Sequence, residues 1–413
     1  MKNKNLNSNR KIKFSWKSLW ISLFSLGTVA IIIGCFANWN NPKWIFIAGS
    51  STMQPLLTEM SKYYHNNIEI STNSGGSSYG ISSVLTNTKN IGTVSKSPEK
   101  IAAPNGIFNS EWINDQIKTI TVGKDPIGII YKSNDDLIIN KNNINTLYQA
   151  FCGYDEINFS KLLQNQSNSD KKIVPFARTG GAQESGTSEA FLYDSNLNPN
   201  LNLLVDSTNS ITLEDVLSSG QYGENTIETN ESSLETWQAI KSYSGDGIPM
   251  TYLSGGFIKT NFNEITKFGF KIAKYESGNN IVSNLLINNN FNQNYNWFRP
   301  LNLITKVTEN NQTKMFIQWI IGNMLFTNSK LINIYNDIGF MYLNYDRLKT
   351  MCLGSNNVID QIFNNRNKYK SYDEYLLDNP NLDWSSFWYS DYQIYQERSK
   401  DNQTKKYYCG AIL

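Results

Sequence analysis

The distribution of apolar residues in the N-terminal part of the chain predicts strands that alternate with helices. Short apolar runs bounded by polar or glycine-containing segments indicate strands, and apolar residues three and four positions apart indicate helices. The pattern predicts strands at residues 44–49, 68–72 and 91–94. Between them it predicts helices at residues 55–64 and 81–85. Pro55 suits the first turn of a helix. This alternation is typical of an α/β domain whose mostly parallel sheet is flanked by helices.

Further extended segments are predicted to connect this domain with a second one. Residues 119–122 and 127–131 have the pattern of strands that leave the first domain, and residues 297–301 are the candidate for the strand that returns. Residues 316–325 predict an apolar helix, and residues 338–342 a strand. A chain of 413 residues is long enough for two cores. The predicted first lobe comprises residues 44–122 and 300–349, and the predicted second lobe residues 123–299. Residues 350–413 are predicted to be a C-terminal extension of unknown role.

The first 35 residues have the pattern of an export signal. Residues 1–34 contain six basic residues and no acidic one, and an apolar run at 18–33 follows the last basic residue. This order is typical of a signal peptide, and the sequence Ile-Ile-Gly-Cys that ends at Cys35 is similar to a bacterial lipobox. Cys35 would then carry the lipid anchor. The alternative is an uncleaved signal anchor. In both cases the basic flank predicts that the body of the protein lies on the outer face of the cell membrane.

Charge and composition exclude several kinds of partner. Without residues 1–34 the chain has 31 basic and 35 acidic residues, a formal charge of −4, so no general attraction for nucleic acid is expected. His65 is the one histidine, and the four cysteines show no C-x-x-C spacing, which does not suit a zinc site. We therefore expect no metal and no other cofactor, and any bound anion must be held by local groups.

Three segments place small and hydroxylic residues directly before a predicted helix. They are residues 49–55 (GSSTMQP), 75–80 (GGSSYG) and 184–188 (ESGTS), and Arg178 precedes the third. The N-terminus of a helix offers free N–H groups and partial positive charge to an oxyanion, and glycine lets the backbone approach it. Arginine can grip such an anion with paired N–H bonds. Each segment alone is also consistent with an ordinary helix N-cap.

The order of these motifs resembles that of the phosphate-binding proteins of phosphate ABC importers. The resemblance rests on GSSTMQPL, GGSSYGI and the sequence SGTSEAF downstream of Arg178, and it extends over residues 44–345. It implies a two-lobe periplasmic-binding-protein-like clamshell of type II, in which two hinge strands join the lobes. The ligand-binding residues that it implies are Ser51, Thr52, Met53 (through its backbone N–H), Ser77, Arg178, Ser185, Gly186 and Thr187.

Two departures from the family's pattern bear on the ligand. Six residues separate Arg178 from Ser185, where the family usually has three. Lys96 stands where the family usually has an aspartate that accepts the proton of phosphate and so rejects sulfate. If Lys96 points inward as a further ligand-binding residue, it favours a fully ionised anion and weakens the selection of phosphate over sulfate. The alternative is a lysine on a solvated loop.

Enzyme motifs in the chain are incomplete. Residues 76–80 match the G-x-S-x-G nucleophile elbow, yet no histidine follows them. Residues 97–100 match S-x-x-K without the S-D-N or K-T-G that accompanies it, and residues 181–187 have P-loop glycine spacing without the lysine. We therefore predict that the protein has no catalytic residues and is not an enzyme.

The predicted function is that of an extracytoplasmic solute-binding component that delivers phosphate to the permease subunits of an ABC importer. One alternative is a binding protein for sulfate or an organophosphonate. Another is a surface-exposed adhesin or interaction protein built on a binding-protein scaffold, which the aromatic-rich residues 350–413 favour.

Overall fold

The computed structural model describes most of the chain downstream of the predicted signal. The described ranges are residues 44–50, 52–64, 69–96, 110–164, 170–230, 232–277, 280–326, 329–351 and 356–400. The predicted signal segment with Cys35, and the predicted ligand residue Ser51, lie outside them.

The described residues form alternating strands and helices over residues 44–94 and a mixture of both elsewhere. Strands β1 to β16 span Trp44–Gly49, Glu69–Ser74, Ile91–Val94, Ile117–Tyr131, Ile138–Ile139, Ile173–Arg178, Leu204–Asp206, Ile211–Thr212, Ile227–Thr229, Ile248–Ser254, Lys271–Ile272, Lys274–Glu276, Val282–Ser283, Leu286–Ile287, Asn290–Phe291 and Phe298–Lys306. Helices α1 to α16 span Gln54–Tyr63, Gly76–Leu85, Ser110–Asn114, Ile144–Cys152, Gly181–Glu184, Gly186–Tyr193, Leu213–Ser219, Ser233–Lys241, Gly255–Thr260, Phe262–Lys267, Asn311–Met324, Lys330–Ile338, Tyr345–Met351, Asn356–Asn365, Tyr372–Asp378 and Asp391–Lys400.

The main sheet is mixed and has nine strands among the described residues. Its strand order is β2-β1-β3-β16-β4-β10-β6-β9, and β11 also pairs with β4. At one end β1 is parallel to β2 and β3, and at the other end β6 is parallel to β9 and β10. The central strands β16 and β4 are antiparallel to their neighbours. The predicted parallel pairing therefore holds toward both ends of the sheet, and antiparallel strands join the two ends.

Strand β4 is a continuous, fully buried strand of 15 residues, where the sequence predicted two separate strands. Its partner β16 pairs with it along the whole of Phe298–Lys306, with a shift of register between Leu301 and Asn302. Leu301 lies opposite Gly123 and Asn302 opposite Thr121, so Val122 is the extra residue of a β-bulge. Both strands thus cross the middle of the sheet side by side.

Two large hydrophobic cores lie on either side of this crossing. The first core contains Ile47, Leu56 and Val122, together with apolar residues of α11 such as Phe316. The second core contains Ile127 and many aromatic residues from β10, α4 and α6. The change from one core to the other occurs along β4, between Val122 and Ile127.

The predicted strand at 338–342 is wrong. Leu331, Ile334 and Tyr335 have helical spacing, and α12 extends to Ile338. Gly339 then ends the helix with a φ of +90°, and a Cβ atom there would lie 2.4 Å from Cα of Gly256. A glycine is therefore required where α12 meets α9, and the residues after it contribute an isolated β-bridge rather than a strand.

The described part of the C-terminal extension packs on the first core. Val358, Ile359 and Ile362 on α14 are buried there, as are Tyr372 and Tyr375 on α15. Farther along, the buried carboxylate of Asp391 accepts hydrogen bonds from the indole of Trp112 and from the backbone and hydroxyl of Thr119. These contacts tie residues 356–400 to the beginning of β4, so this segment is an integral part of the fold.

Candidate functional site

A cavity of about 550 Å³ lies at the centre of the molecule, where the elements around the two cores meet. The central strands β4 and β16 contribute Asp125 and Arg299 to its wall. Other lining residues come from the loops and helix starts on both sides, among them Ser50, Thr52, Gly76, Ser77, Ser95, Lys96, Arg178, Glu184, Gly186, Thr187 and Ser233. The wall is therefore rich in hydroxyl groups and contains charges of both signs.

The loop after β1 brings Thr52 to the cavity. Ser50 is buried and its hydroxyl donates a hydrogen bond of 2.9 Å to the hydroxyl of Ser95, which follows β3. The N–H of Met53 donates to the carbonyl of Ser50 at 3.1 Å, and the Met53 side chain is buried in the first core. The backbone N–H that was predicted to bind a ligand thus has a partner within its own loop.

The loop after β2 brings Gly76 and Ser77 to the same wall. Gly76 begins α2 with a φ of +81°, and a Cβ atom there would meet nothing within 4 Å, so the backbone faces open space. The hydroxyl of Ser77 accepts a hydrogen bond of 3.3 Å from the N–H of Ser95. This leaves the hydroxyl proton of Ser77 available as a donor.

The third loop places Arg178 next to the start of α6. Arg178 ends β6, and its Nη1 lies 3.4 Å from the hydroxyl of Ser185, while its Nη2 donates to the hydroxyl of Ser233 at 2.7 Å. Ser185 caps α6 by accepting from the N–H of Ser188. Gly186 and Thr187, the first residues of the helix, line the cavity.

The longer spacing between Arg178 and Ser185 is taken up by a turn of helix. The intervening residues contain α5. Gly180 before this helix and Gly181, its first residue, have positive φ angles of +74° and +54°. A Cβ atom at Gly181 would come within 2.5 Å of the Leu217 carbonyl oxygen, so the tight turn depends on glycine. The six-residue spacing therefore still allows Arg178 to reach Ser185.

An ion pair that was not predicted lies in the wall between these loops. Oδ2 of Asp125 accepts from Nε of Arg299 at 2.9 Å and from Nη2 at 2.7 Å. Nη2 of Arg299 also donates to the hydroxyl of Thr52 at 3.3 Å. On the other side, a Cβ atom at Gly186 would lie 2.6 Å from Nη1 of Arg299. Arg299 therefore contacts both the first and the third loop.

A signal for this pair was present in the sequence. Asp125 lies just before the apolar run 127–131, and Arg299 directly follows Trp297 and Phe298. Charged residues are rarely buried unless they are paired. The structure leaves Arg299 only 5% exposed and Asp125 not exposed at all. Burial raises the pKa of Asp125 above its usual value, and the nearby guanidinium groups of Arg299 and Arg178 oppose this effect.

Lys96 lines the cavity but has a partner from the opposite side. Its ammonium group lies 2.7 Å from Oε2 of Glu189, which is on α6 and nearly buried. Its carbonyl oxygen accepts a hydrogen bond from the side chain of Asn302 on β16. Glu189 thus compensates the charge of Lys96.

The assembled site can hold a small oxyanion. Thr52, Ser77 and Thr187 offer hydroxyl groups, and α2 and α6 direct their N-termini toward the same space. Arg178 and Arg299 add guanidinium groups, and the carboxylates of Asp125 and Glu189 balance part of the positive charge. Of the predicted ligand residues that are described, Thr52, Ser77, Lys96, Arg178, Gly186 and Thr187 line the cavity, whereas Ser185 and Met53 lie beneath its surface.

Solved structures to which this chain is similar include phosphate transport proteins. PstS from Borrelia burgdorferi is 19% identical, with a TM-score of 0.47, and the match covers 73% of this chain and 98% of that one. An ABC-type phosphate transport receptor from Vibrio cholerae is 16% identical, with a TM-score of 0.47, and the match covers 72% of this chain and 100% of that one. Within the ranges given above, no helix is both long and apolar enough to span a bilayer.

Sequence comparisons identify the family. An uncharacterized lipoprotein of Mycoplasma genitalium is 36% identical over 357 residues, which are 80% of this chain and 90% of that protein. A family model described as a PBP superfamily domain matches residues 29–323, more than half of the chain. The chain therefore belongs to the PBP superfamily, the periplasmic-binding-protein-like proteins, and has their α/β fold.

Proposed function

We propose that this protein is the solute-binding component of an ABC importer and binds inorganic phosphate in the central cavity. The observation that supports this most directly is the convergence of Thr52, Ser77 and Thr187, with Arg178, on one cavity from distant parts of the sequence. Hydroxyl groups, helix N-termini and guanidinium groups are the donors that bind tetrahedral oxyanions in proteins. Together with membership in a family of binding proteins, they favour capture of an anion over catalysis.

The two cores suggest how binding is coupled to a change of shape. In the proposed division, the first lobe comprises residues 44–122 and 300–349, and the second lobe residues 123–299. Thr52 and Ser77 then belong to the first lobe, and Arg178 and Thr187 to the second. Because a bound anion takes hydrogen bonds from both lobes, it favours the closed form. The closed form would be the one that docks on the permease subunits.

Export and lipid anchoring belong to the same proposal. The signal pattern ends at Cys35, and the Mycoplasma genitalium relative is named a lipoprotein. Lipidation of Cys35 would hold the protein on the outer face of the cell membrane, beside the permease. Metabolic labelling with a radioactive fatty acid should mark the wild-type chain, whereas a Cys35→Ser variant should remain unlabelled.

Calorimetric titration with phosphate tests the binding function. A ligand that binds the folded state stabilises it by RT ln(1 + [L]/Kd), about 4 kcal/mol at a thousandfold excess over Kd, so a parallel thermal shift is expected. Arg178→Met should lose most of the phosphate affinity, while Arg366→Met, on the C-terminal segment and away from the cavity, should retain it. A wild-type protein that neither binds phosphate nor gains thermal stability in its presence would contradict the proposal.

A further inference from the structure

The central cavity has an uncharged wall, formed by elements other than those proposed to bind the anion. The wall consists of α9 with the residue after it and of the end of α12 with the residues after it. Its lining residues include Gly256, Phe257, Thr260, Asn261, Ile338 and Phe340. The groups proposed to bind the anion come instead from the loops after β1 and β2, the end of β6 and the start of α6.

Three side chains make this wall apolar. Phe257 and Ile338 are half-buried, and Phe340 is 6% exposed. Phe257 also packs against the second core, which holds its ring in place. Lys259, the basic residue of α9, is not part of the lining, because its ammonium group donates to the carbonyl oxygen of Asn336 at 2.6 Å. Apolar surface in contact with water is unfavourable, so a ligand that covers this wall gains affinity.

The two halves of this wall are already in contact. A Cβ atom at Gly339, directly after α12, would lie 2.4 Å from Cα of Gly256 on α9, so the two backbones touch. In the proposed division α12 belongs to the first lobe and α9 to the second. Closure of the lobes cannot bring these backbones closer together, so the two helix ends cannot cover each other's apolar side chains when the cavity closes.

The size of the cavity also exceeds what inorganic phosphate needs. Its volume of about 550 Å³ lies in the range of roughly 300–1,000 Å³ that is typical of sites for small organic molecules. Such sites combine apolar walls with a few polar groups that fix the orientation of the ligand. Inorganic phosphate, a single phosphorus atom with its oxygens, uses only the polar groups and leaves Phe257 and Ile338 uncovered.

We infer that the cavity also binds phosphate monoesters, with the uncharged organic substituent against Phe257, Ile338 and Phe340. This inference rests on the proposed function, since the same hydroxyl and guanidinium groups hold the phosphoryl oxygens that the ester leaves free. The absence of a charged side chain from the described lining of this wall favours an uncharged substituent. The side chains of Thr260 and Asn261 can bind hydroxyl groups on it.

Three ligands with substituents of increasing size test the inference on the wild-type protein. Inorganic phosphate, methyl phosphate and phenyl phosphate are titrated calorimetrically at neutral pH. Phenyl phosphate should bind about tenfold more tightly than inorganic phosphate, with methyl phosphate between them, because added apolar groups in a hydrophobic pocket raise affinity. An excess of inorganic phosphate should displace phenyl phosphate competitively, since both use one set of oxyanion-binding groups. This comparison does not depend on whether a substitution is tolerated.

A pair of variants then assigns the binding of the substituent to this wall. Phe257→Ala should lower the ratio of phenyl phosphate affinity to inorganic phosphate affinity about 3- to 10-fold, the contribution of one aromatic pair. Phe268→Ala is the matched control. It also removes a phenylalanine ring of the proposed second lobe, but Phe268 is 43% exposed and does not line the cavity. This control should preserve both affinities, and thermal unfolding shows that each variant is folded.

The outcomes separate the inference from the proposed function. Phenyl phosphate that binds no more tightly than inorganic phosphate, or that phosphate does not displace, would overturn the inference and leave phosphate binding intact. An unchanged affinity ratio in folded Phe257→Ala protein would overturn it as well. Binding of the esters without binding of inorganic phosphate would support the inference and refute inorganic phosphate as the ligand. If none of the three ligands binds, the proposed function fails and the inference fails with it.

Discussion

Arg299 and Asp125 lie directly opposite each other on the antiparallel strands β16 and β4 and form an ion pair with an N–O distance of 2.7 Å. The pair is almost completely shielded from solvent and stands between the two hydrophobic cores. Buried ion pairs contribute little net stability while intact, but loss of one partner leaves an uncompensated charge. Replacement of only one of these two residues should therefore destabilise the folded protein as well as change the wall of the cavity.

Replacement of Arg299 should destabilise the folded protein strongly. Arg299→Met removes the donors to Asp125 and leaves a buried carboxylate, which we expect to lower the free energy of unfolding by about 3–5 kcal/mol. Urea unfolding at neutral pH, without anion, measures this change. Arg299→Met combined with Asp125→Leu should recover most of the loss. A double variant as unstable as Arg299→Met would show that the buried charge is not the cause.

Removal of the Thr187 hydroxyl should weaken phosphate binding. Thr187→Val keeps the shape of a nearly buried side chain and removes one donor, so we expect about 10-fold weaker binding, the effect of one hydrogen bond to a charged group. Calorimetry measures the affinity. The control is Thr313→Val, a buried threonine of α11 outside the cavity whose hydroxyl has no partner among the described residues. It should bind phosphate as the wild type does.

Lys96 and Glu189 should act as a compensated pair. Lys96→Met leaves the nearly buried Glu189 uncompensated beside the cavity, so affinities for phosphate and sulfate should fall by similar factors. The double variant Lys96→Met with Glu189→Gln should recover most of both affinities in calorimetric titrations. If Lys96→Met instead improved the selection of phosphate over sulfate, Lys96 would be the residue that favours a fully ionised anion, as the sequence alone suggested.

Protein stability should rise with pH above neutrality because of buried lysines on β4. Burial lowers the pKa of Lys124 to about 7, with a smaller effect from Arg347. In the unfolded chain a lysine holds its proton up to about pH 10. Between these values the unfolded state binds more protons than the folded state, so the free energy of unfolding increases with pH.

The expected slope is up to about 1.4 kcal/mol per pH unit for each such lysine between pH 7 and pH 9. Lys118, which is also fully buried, has its pKa lowered to about 7 by the same cause, against an opposing effect of Asp391. Lys124→Met should therefore reduce the slope without abolishing it. Urea unfolding at several pH values measures both slopes, and equal slopes in the two proteins would contradict the assignment to Lys124.

The packing of the C-terminal segment should be sensitive to a single methyl group. A Cβ atom at Gly322 on α11 would lie 2.1 Å from the ring of Tyr372 on α15. Gly322→Ala should destabilise the protein by about 1–3 kcal/mol, the usual cost of overpacking a core. It should also increase cleavage of residues 356–400 by a protease. In a Tyr372→Leu background the same substitution should cost less.

Much of the first half of the fold followed from local patterns in the sequence. The strand at Trp44–Gly49 and the helix opened by Pro55 have the predicted bounds to within one residue. The glycine and serine motifs marked the loops that reach the cavity because those residues serve both helix capping and anion binding. The strand predicted at 338–342 failed because the pattern Ile-Gly-Phe-Met is short and apolar, and such a run suits a helix end as well as a strand.

The charged centre of the site could not be predicted from local patterns. Asp125 and Arg299 are more than 170 residues apart in the sequence, and the apolar neighbours of each residue do not indicate which charged residue is its partner. Their relationship arises from the pairing of β4 with β16, which no short motif encodes. The same holds for Lys96 and Glu189, which meet only because the segment after β3 and helix α6 lie at the same cavity. Such pairs depend on topology, whereas helix starts and glycine turns depend on adjacent residues.

The β-bulge at Val122 interrupts the regular pairing of the two central strands. The carbonyl oxygen of Val122, the extra residue, accepts a hydrogen bond from the buried hydroxyl of Tyr335. A bulge interrupts the ladder locally and makes bending easier at that point. In the proposed two-lobe arrangement, a rotation of one lobe against the other that bends the strands at Val122 would displace the loops of Ser77 and Thr187 the most. Asp125 and Arg299 lie close to the bulge and would hardly move, so they would keep a fixed position in the cavity wall while the two lobes close.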